Sequence, residues 1–238
     1  MRTSLVLLTA VPVLALGCSE SPDVVQASAP AAPEAAPENG GLEPVTNWKS
    51  ERKRIAMLGL AYDSGRAVPV PEEADEVLAG LDAGDVGRFV AEGRAALEVN
   101  DALAAIPAFT RAALLDPGPA ERWLDLGKAL RAFKLESQSR AAWETGLEAN
   151  PDDVELLFHV ADMDARLGDT ERAIELFERA VELDPGHGGA WGRLARIHYY
   201  ANDDGAAWTA FHRAEDNGEP MPPQMRDLLA SRTPEPLR

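Results

Sequence analysis

The feature that most constrains this chain is a period of 34 residues. Three turns, Asp116-Pro117, Asn150-Pro151 and Asp184-Pro185, lie 34 and 34 residues apart, and Pro220 follows after 35. On that unit one column holds Phe89, Trp123, Leu157 and Trp191, and a second, twenty residues on, holds Phe109, Trp143, Phe177 and Phe211. The chain has 14 aromatic residues and seven of them occupy these eight positions, so a repeating packing requirement places them. Small residues fill three further columns: Gly93, Gly127, Ala161 and Ala195; Ala105, Ser139, Ala173 and Ala207; Ala112, Gly146, Ala180 and Ala214. Small side chains let two helices cross closely while the bulky columns fill the space beside them. Each unit therefore reads as a helix, a short turn, a second helix and a proline-marked turn. Leu167-Gly168-Asp169 supplies a glycine stop and an aspartate N-cap, and Asn202-Asp203-Asp204 offers caps for the last second helix.

The run Trp123-x2-Leu126-Gly127…Ser139-x3-Trp143…Pro151 resembles the tetratricopeptide repeat signature, over roughly residues 86–219. The column that is usually Tyr departs from it, holding Ala96, Leu130, Asp164 and His198, and Pro107 falls inside a second helix, where it should remove a backbone bond and bend the helix. The resemblance implies an all-α fold, a right-handed α-α superhelical solenoid of four helix pairs at about 86–119, 120–153, 154–187 and 188–220. A degenerate capping repeat is expected over 46–85, because Ile55-x2-Leu58-Gly59-x2-Tyr62 fits the first-helix pattern while Pro69, Pro71 and Asp75 spoil the second. Residues 221–238 read as a capping helix and tail, with Met225, Leu228 and Leu229 on one face to cover the last repeat.

Residues 1–17 read as a signal peptide: Arg2, then the apolar run Leu5–Leu16, too short to span a bilayer and broken by Pro12. Leu14-Ala15-Leu16-Gly17-Cys18 resembles a bacterial lipoprotein lipobox, with Ala15 where the pattern prefers Leu. That resemblance implies cleavage before Cys18, a diacylglycerol and an acyl chain on that residue, and, from Ser19 in the next position, residence in the outer membrane facing the periplasm. Residues 18–45 then form a tether: Ser19–Pro44 has five prolines, five acids, no Lys or Arg and no aromatic residue. The basic run Lys49, Arg52, Lys53 and Arg54 is either a contact for anionic headgroups or, the reading favoured here, the polar face of the cap.

A net charge of −17 disfavours nucleic acid as a partner, and one cysteine rules out an internal disulfide and a Cys-based zinc site. His159 and Asp162 stand three apart on one helix, so a metal pair is geometrically possible, but a lone histidine on a repeat helix is more often simply packed or solvated. Gly186-His187-Gly188-Gly189 lacks the strand and the Lys-Ser/Thr of a phosphate loop, and no catalytic ordering of Ser, His and Asp is present. No enzyme activity, no cofactor, no metal and no small-molecule substrate are expected. The repeat family implies a concave wall of first helices, which puts Arg94, Lys128, Arg131, Phe158, Asp162, Arg166, Arg196, Tyr199 and Tyr200 forward as a protein-binding groove for an acidic, extended peptide; solvated helix faces laced with i,i+4 pairs are the alternative. The family's carboxylate-clamp positions hold Val90, Arg94, Asp125, Glu155 and His159, so that specificity is not carried over. The expected role is a membrane-anchored periplasmic scaffold that binds proteins or peptides and assists an envelope complex. The alternative is a permanent accessory subunit of a periplasmic redox, transport or secretion complex.

Overall fold

Helices begin where the period places them. The computed structural model describes residues 59–236, and in it the first helices of the four repeats are α2 (Val86–Glu98), α4 (Ala120–Ala132), α6 (Val154–Leu167) and α8 (Gly188–Tyr200). Their partners are α3 (Ala102–Leu115), α5 (Glu136–Ala149), α7 (Thr170–Leu183) and α9 (Asp204–Asp216). Each helix packs on its partner, and each second helix packs on the first helix of the next repeat. The signal segment, Cys18, the tether, the basic run and the first part of the expected capping repeat lie outside the described residues.

The turn inside each repeat is set by one backbone conformation. Asn100, Lys134, Gly168 and Asn202, 34 apart, all have positive φ, at 59°, 63°, 93° and 62°. A left-handed residue stops the first helix, and in three of the four repeats the aspartate after it starts the second, Leu135 standing there in the other. Asp101, Asp169 and Asp203 accept hydrogen bonds from the amides of Ala104, Arg172 and Ala206.

The aromatic columns form the spine of the core. Phe109, Trp143, Phe177 and Phe211 are buried, as are Phe89, Trp123 and Leu157, while Trp191 is half-buried. The indole N–H of Trp123 donates to the Pro117 carbonyl at 2.7 Å, and Trp191 repeats the bond to Pro185 at 3.0 Å. Opposite Trp143 stands Gly127, where a Cβ would lie 2.1 Å from the indole nitrogen. The small columns therefore exist to admit the large ones. The helix α3 continues through Pro107.

The expected helical cap over 46–85 is corrected by the part that is described. Residues Leu60–Asp63 (β1) and Arg66–Pro69 (β2) pair antiparallel around Ser64-Gly65, and a short helix α1 (Pro71–Val77) follows. Ser64 and Gly65 both have positive φ, which is the two-residue turn that matches strand twist. Tyr62, expected on a helix, lies on a strand instead. The hairpin lies across the second helices of repeats 1 and 2. The Ala67 amide donates to Thr145 Oγ1 at 2.8 Å, Arg66 pairs with Glu148, and Gly59 sits against Leu114.

Between the second helices of repeats 2 and 3 lies a different filling. Asp164 is 1% exposed; its two oxygens receive Arg140 and Arg172, both at 2.6 Å, and Arg172 also pairs with Glu144 at 2.6 Å. At the far end α10 (Pro223–Arg232) buries Met225 and Leu229 against α9. Leu228, expected on the same face, is instead 50% exposed. The tail returns: the Trp208 indole donates to the Thr233 carbonyl at 3.1 Å, and Glu235 meets Arg226 and His212.

Candidate functional site

First helices of successive repeats run side by side, so residues at matching turns gather across repeats. The centre of that gathering is His159 on α6. Its ring lies flat on Trp143, centroids 4.5 Å apart and planes 13° apart, and both ring nitrogens are buried without a hydrogen bond. Burial first, then the positive charges of Lys128 and Arg131 and the neighbouring His187, push its pKa down to about 3. Both charges act on this ring through space, and Arg131 lies over Trp143, on which the ring is stacked, at 5.4 Å. Neither cation makes an ion pair among the described residues.

Glu155 stands between two histidines, 3.9 Å from His159 Nε2 and 3.4 Å from His187 Nε2. The Ala190 amide donates to His187 Nδ1, which caps α8 and leaves Nε2 facing Glu155. Among the described residues no group of three or more His, Cys, Asp or Glu is arranged to hold a metal. Phe158, half-buried, packs at 4.9 Å from His187 and 5.8 Å from Phe177, with the Arg193 guanidinium at 5.9 Å.

The nine residues singled out from the sequence fall into separate groups. Lys128, Arg131, Phe158 and Asp162 come together around His159. Asp162, however, is buried and held by Arg193 at 2.7 Å, so it is a structural anion and not an open one. Arg94 is paired with Asp125 at 2.8 Å, and Arg166 with Glu136 at 2.7 Å, each bridging neighbouring repeats. Tyr199 lies under the Arg232 guanidinium at 4.6 Å and touches Tyr200, which is 75% exposed. Arg196 is exposed and has no ion-pair partner among the described residues. His159, His187 and Arg193 were missed as a unit; the signal in the sequence was the occurrence of Glu155 and His159 at clamp positions.

The arrangement is suited to binding. Two uncompensated cations, one of them over an aromatic face, can receive a carboxylate that neighbours an apolar side chain.

Two family models, both described as tetratricopeptide repeat, match residues 137–188 and 165–231. The general transcriptional corepressor ssn6 of Schizosaccharomyces pombe is 23% identical over 94 residues, 40% of this chain and 8% of that protein. This chain therefore spans less than a tenth of that relative's length. Among solved structures, MamA is similar with a TM-score of 0.53 and 19% identity, covering 62% of this chain and 86% of that one. PilW, described as a widely conserved type IV pilus biogenesis factor, is similar with a TM-score of 0.53 and 18% identity, covering 68% of this chain and 76% of that one. Period, helix pairing, packing columns and these matches agree, and the paired helices of this chain are tetratricopeptide repeats stacked as a solenoid.

Proposed function

We propose that this chain is a membrane-tethered periplasmic scaffold that binds a protein or peptide partner through its first helices and helps an envelope complex assemble. Tetratricopeptide repeats generally bind proteins, and the observation that carries the reading for this chain is the cluster around His159. There Lys128 and Arg131, without paired acids among the described residues, act on the His159 ring that stacks on Trp143 and meets Phe158, in a protein whose net charge is −17. Local positive charge on an acidic molecule favours one orientation of an acidic partner. The tether and its lipid rest on the Cys18 segment, and the envelope role on the likeness to PilW.

The test is affinity purification from detergent-solubilised membranes with wild type beside a variant carrying Arg94→Glu, Lys128→Glu and Arg196→Glu. A partner recovered with the wild type and lost with the variant is expected. The same partner with both proteins refutes binding through these helices. Labelling with a fatty-acid analogue, lost on Cys18→Ser, checks the anchor separately.

A further inference from the structure

The second helices leave a groove between each pair of adjacent repeats, floored by the first helix of the later repeat. The three grooves are filled in three ways. The first is covered by the hairpin, whose Leu60 and Ala67 join the core that contains Ile106 and Leu130. The second holds the Arg140, Asp164, Arg172 and Glu144 ion pairs. The third, between α7 and α9 over α8, is an open cavity of about 600 Å³. Its floor is Val181, Trp191, Leu194 and Ala210, and Glu178, Glu182, His198 and Thr209 line it as well. The residues that depart from the repeat signature at the usual Tyr column, Leu130, Asp164 and His198, follow these differences: apolar in the covered groove, anionic in the ion-paired one, and polar in the open one.

We infer that the third groove is a second binding surface, which takes an extended segment of a partner polypeptide with apolar side chains flanked by lysine or arginine. The chemistry is read from two observations. Glu178 and Glu182 are exposed, lie one helical turn apart on the same side of the cavity, and have no ion-pair partner among the described residues. They present an acidic rim above an apolar floor. The first groove, built from the corresponding helices, shows which backbone fits such a space: a β-strand whose amide is held by a threonine hydroxyl and whose arginine is held by a glutamate. This surface lies on the second helices, away from the His159 cluster, and stands or falls independently of the proposed function.

The test uses the full chain and a fluorescein-labelled peptide of about eight residues alternating arginine and valine, read by anisotropy at roughly physiological salt. A matching glutamate–valine peptide is the control. Saturable binding of the arginine peptide is expected, weakened at least about tenfold by Glu178→Lys with Glu182→Lys. It should be abolished by Thr209→Trp, which fills the groove and leaves the charge unchanged. It should be unaltered by the Arg94, Lys128 and Arg196 substitutions. Retention in Thr209→Trp means diffuse attraction to an acidic protein and overturns the proposal, as does equal binding of the glutamate peptide. Binding seen only after removal of residues 1–58 assigns the groove to the chain's own N-terminal part. A concentration-dependent doubling of mass that is lost in the Glu178/Glu182 variant assigns it to a second copy. Either result overturns a partner segment as occupant.

Discussion

His159 lies flat on Trp143 with neither nitrogen bonded, an environment that accepts the neutral ring and penalises the cation. The groups facing it are Lys128 and Arg131 from α4, Glu155 from its own helix, and His187 from the turn before α8. Its pKa falls from 6.5 to about 3 on folding, so between those values the unfolded chain holds a proton that the folded chain does not. The stability this residue contributes is complete above pH 6.5 and is lost as pH falls through that window, by up to about 1.4 kcal/mol per unit. Thermal midpoints at pH 7 and pH 5 should therefore drop further for the wild type than for His159→Phe. Equal drops refute the assignment. At the same scale, Gly127→Ala forces a Cβ to within 2.1 Å of the Trp143 indole nitrogen and should destabilise the fold by about 1–3 kcal/mol, read from urea denaturation.

The helix pairs were legible in the sequence and the hairpin was not, for a physical reason. Helical packing writes itself at every 34th residue, so four imperfect copies reinforce one another: Ala96 or Leu157 can depart from type without hiding the column. Residues 59–77 occur once and have no second copy to correct them. Leu58-Gly59-x2-Tyr62 imitates a first helix, yet Gly59 has φ 77° and Tyr62 lies on a strand. The usable signal was Asp63-Ser64-Gly65-Arg66, a two-residue turn between Leu60 and Tyr62 on one side and Ala67 on the other. The candidate site was legible one residue at a time, and only its grouping was hidden. Spacing places Lys128 and Asp162 in equivalent positions, but it cannot show that Arg193 has already neutralised Asp162. The ion pairs between α5, α6 and α7 belong to this scale too. Asp164→Ala leaves Arg140 and Arg172 facing each other with only Glu144 between them, and should cost about 3–5 kcal/mol of stability in urea denaturation.

Across the whole molecule, a stack of repeats is stabilised by neighbour contacts, and its last apolar face must be covered. Here α10 does so through Met225 and Leu229, fixed by Arg226 to Glu215 at 2.6 Å and by the Arg226 guanidinium over Phe211 at 5.0 Å. Deleting residues 222–238 should uncover that face and produce concentration-dependent association in sedimentation. A variant that stays monomeric at high concentration refutes the capping role.

The unequal grooves carry a mechanical consequence. The hairpin covers the seam of repeats 1 and 2, and the pairs Arg140–Asp164 and Glu144–Arg172 clamp repeat 2 to repeat 3. Among the described residues no ion pair joins α7 to α9 across the open groove, and repeat 4 is held to repeat 3 on the other side, by Arg193 with Asp162 at 2.7 Å and His187 with Glu155 at 3.4 Å. Under a pull on its C-terminal end the stack would open first on this side, with α7 and α9 parting while the first-helix pairs hold: a hinge that yields before the repeats themselves come apart.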